Sequence, residues 1–569
     1  AAASSPSLAE SPVRSTTNGA MACIPACLLA AGLWHFGLPP HQPADWRALG
    51  MAGLLQRAAA AVVAAAPLWL RLGFGGVRSD APVVLRGTRP SMYRPAADDG
   101  LVWGALLVLL VLLSRSIAGR GSGGGPAAGL GHQGAWVLGM GMSWTFSLLA
   151  LDARMRQGGV RGRTGVLALA LAGAVYVGIA GSPALGGGPT VGALAVLAAA
   201  SAQHTATVVI LRSMPRSFTL GEAAVAAQGA VLGAADLAVR VVARVRAGPG
   251  DAGDAHMPGL LLEVAVLALV LLVCVLAWIH PARGGARGAG VRAIGTVRFC
   301  FLTGAFACGA LCLAAFISGV NPLAWACGAL LGRPAHWAVL AYWAVLLAGG
   351  AALYTAVPVD LAAAGHAKLV LHIKRKAYHV LAVLLFAPAH IAAPVLLHVG
   401  FTAALAAFVV AEAARTLGVG PWAAAIDRFL RRFTDARDAG QVVTSHFYLL
   451  LGCALPVWLG GARAACLAGV LALGVADTAA SLVGLRLGRH RWPGSPKTIE
   501  GTAGFVLGLF AAASLVPAGG GPGPAARLAL CAMLGLLEAL TEQNDNLVVA
   551  LTAHAAMNAL AQPGQRAGA

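Results

Sequence analysis

The amino-acid sequence predicts an all-α, polytopic integral membrane protein with roughly 15–17 transmembrane helices. Three observations support this fold class. Of the 569 residues, 58% are hydrophobic and only 11% are charged, whereas soluble domains carry about 25% charged residues. Apolar segments long enough to cross a bilayer recur along the chain. The 74 glycines suit helices that pack closely in lipid. Soluble globular, disordered, coiled-coil and disulfide-rich secreted proteins are thereby excluded.

The chain divides into a polar tail over residues 1–20, an N-terminal multi-span region over 21–357 and a C-terminal multi-span region over 358–569, which carries the candidate site residues. We interpret Met21–Phe36 as a first membrane helix, because a signal peptide would not be followed by so many spans. Nine more apolar segments follow in the N-terminal region: Gly50–Leu70, Leu101–Leu113, Ala135–Leu151, Val166–Ala180, Gly192–Leu211, Thr219–Val239, Leu260–Ile279, Phe299–Val320 and Trp337–Val357. The C-terminal region has seven: Tyr378–Leu397, Val399–Ala414, Thr444–Leu459, Ala465–Leu485, Thr502–Val516, Ala526–Leu540 and Leu547–Leu560.

The N-terminal region contains few intramembrane polar residues, namely Arg57, His204 and Glu222. Such residues suggest function by default. For Arg57 and His204, however, a position near a helix end or a contact with a neighbouring helix is the favoured interpretation. The ten cysteines, among them Cys300, Cys308, Cys312, Cys453 and Cys466, form no CxxC pair, and we expect buried structural thiols.

The net charge of +19 does not indicate nucleic-acid binding, because no basic run is interleaved with aromatic residues in a soluble domain. Lysine and arginine accumulate instead in the cytoplasmic loops of membrane proteins. The charge also suits an anionic substrate.

Polar residues of the C-terminal region form four clusters at helix boundaries. They are Lys374–His379; a stretch from Glu412 and Arg415 to His446 and Tyr448; Asp477–Thr502; and Glu538–Asn546. Two predicted spans separate each cluster from the next, so all four share one membrane face. Thirteen lysines and arginines lie in the loops of that face, against Arg463 and Arg527 in the opposite loops. By the positive-inside rule the clustered face is cytoplasmic.

Asp477 lies inside an otherwise apolar helix, where a carboxylate is costly unless a cation or metal pairs with it. Ser481 and Gly484 follow at i+4 and i+7, so the three residues share one helical face. Gly488 extends this face into a bare groove that a backbone or a ligand can approach. Packing of small residues against a neighbouring helix is the equally weighted alternative.

The segment Lys497-Thr498-Ile499-Glu500-Gly501-Thr502 favours a phosphate ligand. Lysine is a point charge for phosphate, threonine hydroxyls donate to phosphate oxygens or bind Mg²⁺, and Thr502 begins a helix whose amides favour anions. It is not a P-loop, because Gly494 is three residues before Lys497 rather than adjacent to it. A basic interfacial loop capped by Thr502 is the alternative.

Phosphoryl transfer requires charge neutralisation on the phosphates and orientation of the acceptor hydroxyl. Several further residues are candidates for these two roles. Asp477, Glu538 and Asp545 are candidate Mg²⁺ ligands, and Asp477, Lys497, Asp545 and His379 are candidate catalytic residues. Arg375 and Lys376 add positive charge. A solvated loop is the alternative for Glu542 and Asn544, and a helix-end position is the alternative for His379.

Together these motifs resemble the CTP-dependent polyprenol kinase family. The resemblance rests on Arg375-Lys376-x-x-His379, Asp477–Ser481, Arg491–Gly494 and Lys497–Thr502, and it continues in Asp435–Gly440, Thr444–Tyr448 and Glu538–Asn546. It is dense from about Lys374 to Leu551 and weaker upstream.

The resemblance implies transfer of the γ-phosphoryl group of CTP to the terminal hydroxyl of dolichol, at the endoplasmic-reticulum membrane with the active site facing the cytoplasm. The product, dolichyl phosphate, would be the lipid carrier for protein N-glycosylation. The implied cofactors are CTP and Mg²⁺ or another divalent cation. The implied CTP-binding region is about 477–502, and the nucleotide-binding residues are Arg375, Lys376, Ser481, Gly484, Arg491, Lys497, Thr498, Glu500, Gly501 and Thr502.

Two alternatives stay open. Phytol kinases, CTP-dependent diacylglycerol kinases and phosphatidate cytidylyltransferases share related patterns. A transporter is disfavoured, because the polar clusters lie on one face and are absent from the first half of the chain. The sequence leaves the oligomeric state open.

Overall fold

The chain folds into a helical assembly, as predicted. The structure is a computed structural model, and it describes residues 83–94, 99–119, 130–157, 163–247, 257–279, 295–356, 367–430, 434, 438, 440–493, 495–516, 523–541 and 544–561. Across these ranges the only β-type pairing is one isolated bridge between Arg491 and Thr498. The predicted tail, the segments Met21–Phe36 and Gly50–Leu70, and Arg57 lie outside these ranges.

Nine α-helices are described in the N-terminal region. They are α1 (Leu101–Gly119), α2 (Gly131–Gln157), α3 (Arg163–Ala180), α4 (Pro189–Ser213), α5 (Leu220–Ala247), α6 (Met257–Ile279), α7 (Thr296–Ser318), α8 (Pro322–Ala326) and α9 (Pro334–Ala356). A π-helical turn over Cys327–Leu331 follows α8.

Nine further α-helices are described in the C-terminal region. They are α10 (Ala367–Ala392), α11 (Pro394–Thr416), α12 (Gly420–Leu430), α13 (Ser445–Leu459), α14 (Arg463–Cys466), α15 (Asp477–Leu487), α16 (Ile499–Leu515), α17 (Pro524–Leu540) and α18 (Asp545–Leu560).

Eight described helices are long and apolar enough to cross a membrane, which confirms a multi-pass membrane protein. Their spans are Gln133–Gln157, Pro189–Ser213, Leu220–Arg246, Met257–Ile279, Thr296–Ser318, Pro334–Ala352, Pro394–Thr416 and Val470–Leu487. Six shorter apolar helices accompany them. The described residues therefore hold fewer full-length spans than the 15–17 predicted, because several apolar segments form helices of less than bilayer length.

One predicted boundary is wrong. The sequence pattern placed a segment over Tyr378–Leu397, but the helix ends at Ala392 and a new helix begins at Pro394. Proline lacks the amide hydrogen that would continue the ladder and disfavours helical geometry in the residue before it. Ala393 accordingly has φ −150° and ψ 62°.

The expectation of buried thiols holds for Cys453 and Cys466 but is wrong for Cys300, Cys308 and Cys312. These three are exposed along α7, a helix with apolar residues on most of its surface. Hydrophobic periodicity cannot separate a lipid-facing thiol from one packed between helices, since both environments are apolar.

A π-helical turn over Val470–Ala476 leads into α15, so Asp477 is the first residue after it. The apolar pattern predicted one continuous helix over Ala465–Leu485. Wider turns of this type are often found at functional sites. Here the turn sets which side of the helix carries Asp477.

The two halves of the sequence share a core. Trp103 and Leu107 of α1 belong to the same buried apolar cluster as Tyr448, Phe505 and Leu547. At the far end of this contact, the amide nitrogen Nδ2 of Asn558 donates to the carbonyl of Ser114 (3.4 Å). The predicted division at residue 357 thus separates two regions of the sequence, but helices from the two regions pack against each other.

Close glycine contacts hold the π-helical segment against α13. A Cβ at Gly469 would lie 1.7 Å from the carbonyl oxygen of Gly452, and one at Gly452 would lie 2.4 Å from that of Asn546. Only glycine permits backbones to approach this closely. The contacts bring the Asp477 segment and the start of α18 together around α13.

We expect Gly469→Ala to lower the unfolding temperature, because its methyl group has no space beside Gly452. Overpacking of this kind costs about 1–3 kcal/mol. The measurement is thermal unfolding of the detergent-solubilised chain. Gly309→Ala on α7, where a Cβ meets nothing within 4 Å, is the matched control and should not destabilise. Equal unfolding temperatures for the two variants would contradict the packing argument.

Candidate active site

Asp477 pairs with a lysine and a histidine of α10. Its Oδ2 lies 2.5 Å from Nζ of Lys376 and 3.0 Å from Nδ1 of His379. Lys376 and His379 are three residues apart and therefore project from the same side of their helix. Nδ1 of His379 also lies 2.9 Å from the carbonyl oxygen of Leu473, within the π-helical turn. The turn and α10 together orient the carboxylate.

The Lys376–Asp477 pair is largely removed from solvent, with side-chain exposures of 15% and 16%. A carboxylate at membrane depth requires a cation, and the sequence did not indicate which one. The partner comes from a helix a hundred residues earlier in the chain, and only the tertiary structure reveals it.

Lys497 lies between two carboxylates from separate elements. Its Nζ is 2.5 Å from Oε1 of Glu538 at the end of α17 and 3.5 Å from Oδ2 of Asp545 at the start of α18. Burial alone would lower the pKa of Lys497, but Asp545 and Glu538 outweigh it, so this pKa is raised. The lysine therefore stays protonated throughout the physiological range.

The Lys376–Asp477–His379 group and the Lys497–Glu538–Asp545 group interact with each other, because Asp477 also interacts with Lys497 and with Glu538. The structure thus brings together three of the four predicted polar clusters. Three carboxylates meet two lysines in the same region. An anionic ligand entering it would need additional positive charge.

The described residues between α15 and α16, 488–493 and 495–498, form a hairpin-like loop. The amide of Trp492 donates to the carbonyl of Lys497 (3.0 Å), and the amide of Ile499 donates to that of His490 (2.8 Å). Two side chains attach the loop to the helices beside it. Nε1 of Trp492 donates to Oγ1 of Thr502 on α16 (2.9 Å), and Oγ of Ser495 donates to the carbonyl of Ala539 on α17 (2.9 Å). These contacts hold Lys497 beside α17.

Sequence reasoning assigned no role to Trp492 or Ser495. A tryptophan followed by proline in a basic loop was the only available signal, and it does not specify a partner.

The start of α16 is capped by its own residues. Thr498 accepts a hydrogen bond from the amide of Gly501 (3.1 Å), and Thr502 donates its hydroxyl to the carbonyl of Thr498 (3.2 Å). Nδ1 of His490 lies 2.7 Å from Glu500, and the helix-end amide of Glu500 together with His490 lowers the pKa of Glu500 to about 2. Capping therefore already engages these polar groups, and their contribution to nucleotide binding stays a prediction.

A neighbouring backbone occupies the bare face of α15. A Cβ at Gly484 would lie 3.1 Å from Oγ1 of Thr498 and 3.6 Å from Cα of Gly501. Ser481 on the same helix is half-buried, and Arg491 in the loop is exposed. Arg375 lies on α10, but its side chain is outside the described residues. Ligand contacts by these residues remain predictions.

Among the residues that the structure describes, no three His, Cys, Asp or Glu side chains converge as a ready-made metal site. Glu538 and Asp545 nevertheless share Lys497 and so lie on one side of the site. Mg²⁺ commonly takes one or two protein carboxylates and completes its shell with substrate phosphates and water. These two carboxylates fit such a nucleotide-borne ion.

The second polar cluster supports the loop before α13. Asp438 accepts hydrogen bonds from the amides of Thr444 and Ser445, both at 3.1 Å, and from the hydroxyl of Ser445 at 2.8 Å. Tyr448, one turn further along α13, is buried and interacts electrostatically with Glu222 of α5.

Glu222 is the partner of Arg94, and both side chains are 5% exposed. The amide of Thr219 donates to Glu222 (3.1 Å), and Oγ1 of Thr219 accepts from the amide of Glu222 (3.2 Å), which is a reciprocal cap. Glu222 thus ties the N-terminal half to the start of α13. Sequence analysis singled out Glu222 but missed Arg94, because a lone arginine in a polar segment carries no pattern.

We expect Lys376→Met to destabilise the chain, because Asp477 would lose its nearest cation. Breaking a fully buried pair costs up to about 3–5 kcal/mol, and the residual exposure of both groups reduces this amount. Lys376→Met combined with Asp477→Asn should lose less stability than the two single changes added together. Thermal unfolding in detergent measures the coupling, and strictly additive losses would contradict the pairing.

Comparison with known proteins extends the sequence resemblance. The family model described as dolichol kinase matches residues 93–449, which is more than half of the chain. The matched range ends before Asp477 and includes the upstream helices for which the sequence motifs were weak.

Several curated relatives are similar over shorter stretches. The chain is 41% identical over 189 residues to dolichol kinase EVAN of Arabidopsis thaliana, covering 31% of this chain and 33% of that protein. It is 37% identical over 193 residues to dolichol kinase sec59 of Schizosaccharomyces pombe, covering 32% and 38%. It is 36% identical over 251 residues to the dolichol kinase of Homo sapiens, covering 41% and 46%.

The matched stretches therefore span between a third and a half of the length of these relatives. No solved structure matches the chain. The extent of the family match nevertheless decides membership: the chain belongs to the dolichol kinase family.

Proposed function

We propose that this protein is a dolichol kinase, which transfers the γ-phosphoryl group of CTP to the terminal hydroxyl of dolichol and releases dolichyl phosphate and CDP. The observation that carries the proposal is the pair of neighbouring ionic groups, Lys376–Asp477–His379 and Lys497–Glu538–Asp545, which are linked by the interaction of Asp477 with Lys497. Relatives named dolichol kinase support the substrate.

Exposed apolar side chains flank the first ionic group. Val380 and Leu384 follow Lys376 along α10 and are 44% and 43% exposed, while Leu482 and Leu485 follow Asp477 along α15 and are 51% and 59% exposed. A long isoprenoid alcohol remains in the hydrocarbon region and must reach the enzyme sideways. The exposed apolar side chains of α10 and α15 would contact its isoprenoid tail while the hydroxyl approaches Asp477.

Positive charge on the loop side suits the nucleotide. Lys497 is held beside α17, and exposed Arg491 lies on the hairpin-like loop. Lysine and arginine neutralise phosphate oxygens as point charges and as planar forks, respectively. Glu538 and Asp545 would hold Mg²⁺ together with the phosphates, and the bound ion would supply charge neutralisation that the two lysines alone do not.

In the proposed reaction, the hydroxyl oxygen of dolichol forms a bond to the γ-phosphorus while the bond to the β,γ-bridging oxygen breaks. CDP leaves with that electron pair, and the hydroxyl proton passes to Asp477 or onward to solvent. Phosphoryl transfer passes through a loose transition state, so orientation of the acceptor matters more than a strong base. A carboxylate fixed by Lys376 and His379 is suited to orient the hydroxyl.

The same proposal includes the setting of the reaction. The enzyme acts at the endoplasmic-reticulum membrane with its site facing the cytoplasm, as the thirteen basic residues of that face predict. Its product would serve as the lipid carrier for protein N-glycosylation.

We expect Asp477→Asn and Lys497→Ala each to abolish turnover, with losses of at least about 100-fold, because each removes a charge aimed at the reacting groups. The assay supplies γ-labelled CTP, Mg²⁺ and dolichol to the purified protein and measures labelled lipid. Arg527→Gln, in the first turn of α17 and at the end of that helix away from Glu538, is the control and should retain activity. Correct membrane insertion of each variant separates lost chemistry from misfolding. Normal turnover in either site variant would remove that residue from the mechanism.

Labelling at two positions of CTP separates kinase from cytidylyltransferase activity. We expect label from the γ-phosphate to enter the lipid and label from the α-phosphate to remain in CDP. Lipid carrying the α-label would instead show transfer of CMP. A parallel panel of dolichol, phytol and diacylglycerol identifies the acceptor, and turnover with ATP in place of CTP tests the nucleotide preference.

A further inference from the structure

A short amphipathic helix outside the candidate site carries a separate inference. Helix α12 begins directly after spanning helix α11, through a turn in which Gly418 and Gly420 have φ of 67° and 50°. Both values lie in the left-handed region that favours glycine, so the chain changes direction here. With 11 residues, α12 is about 16 Å long and cannot cross a hydrocarbon core of about 30 Å.

The apolar face of α12 bears two large, exposed aromatic side chains. Trp422 is 64% exposed and Phe429 is 52% exposed, and their spacing of seven residues places them on the same face. At the edge of that face, Ile426 packs against a buried apolar cluster that includes Ala414 and Val419. The helix is therefore attached along one edge, while more than half of the surface of Trp422 and of Phe429 stays exposed.

The opposite face is polar and fixed to the protein by ionic contacts. Asp427 lies 3.2 Å from Nη1 of Arg415, and Arg415 forms a two-pronged contact with Glu412 at 2.6 and 2.8 Å. Glu412 in turn accepts a hydrogen bond from the amide of Val443 (2.8 Å). Arg428, next to Asp427, is exposed.

We propose that α12 is an interfacial helix whose aromatic face inserts into the headgroup region of an anionic phospholipid leaflet, with Arg428 contacting lipid phosphate. This membrane-binding surface goes beyond the proposed function. Aromatic residues favour the membrane–water interface, and short amphipathic helices with basic polar faces lie in its plane. A position at the end of a spanning helix places α12 at that depth. The face predicted to be cytoplasmic is also the one where anionic lipids and basic residues meet.

The geometry also connects α12 to the loop before α13. Arg415 contacts Asp427 and donates to the carbonyl of Gln441 (2.6 Å), and Gln441 lies three residues before Thr444. The leaflet would therefore anchor the same loop that leads to Tyr448.

Hydrogen–deuterium exchange of residues 420–430 tests the proposal, with the full chain in nanodiscs of phosphatidylcholine alone or with added phosphatidylserine. We expect slower exchange in the anionic discs and loss of that difference at high salt. Trp422→Ser combined with Phe429→Ser should speed exchange by at least about tenfold in both kinds of nanodisc, because the helix would lose the apolar side chains that hold it in the membrane interface. Arg428→Gln should remove only the effect of phosphatidylserine.

Ala424→Ser, at an exposed position of α12 away from Trp422 and Phe429, is the matched control and should leave exchange unchanged. Identical exchange in both lipid compositions, together with no effect of the aromatic substitutions, would overturn the proposal. Protection that rises with protein concentration at fixed lipid would also overturn it, because a second copy of the chain would then cover the aromatic face. None of these measurements uses catalysis, so they stand apart from the test of the kinase activity.

Discussion

The cost of an ionised group in hydrocarbon is the constraint on which the rest of this structure depends. Asp477 can occupy its position only because Lys376 and His379 meet it from another helix. The π-helical turn and the glycine contact between Gly469 and Gly452 bring these groups together. Asp477, Lys376 and Lys497 each have a partner of opposite charge, and the pairing of Asp477 with Lys376 links α15 to α10.

The same constraint explains why the site is assembled from distant parts of the sequence. Lys497 comes from a loop, Glu538 from the end of α17 and Asp545 from the start of α18. Each element alone would expose a charge to lipid or bury it without a partner. Together they form a polar region at helix ends, with exposed apolar side chains of α10 and α15 on one side and a basic loop on the other. This combination supports the proposed reaction.

The Arg94–Glu222 pair extends this principle into the N-terminal half. It is deeply buried and lies beside Tyr448, so helices remote in sequence support the loop that precedes α13. The core shared by α1 and α18 likewise connects the N-terminal helices to the C-terminal region. The N-terminal helices are therefore part of the scaffold of the site, although their sequence carries no catalytic motif.

Composition and hydrophobic segments by themselves determined the all-α membrane fold, because lipid demands apolar helices whatever their arrangement. The spacing of polar clusters predicted that the Lys376, Asp477 and Lys497 regions share a face, since helix crossings alternate sides. The hydrophobic pattern did not predict the break before Pro394 or the π-helical turn before Asp477, because such a pattern does not resolve local backbone geometry. Only the tertiary structure decided which cation meets which carboxylate, and that Thr498 and Gly501 cover the face of Gly484. Such pairings depend on distances between helices, and a linear pattern of residues does not contain them.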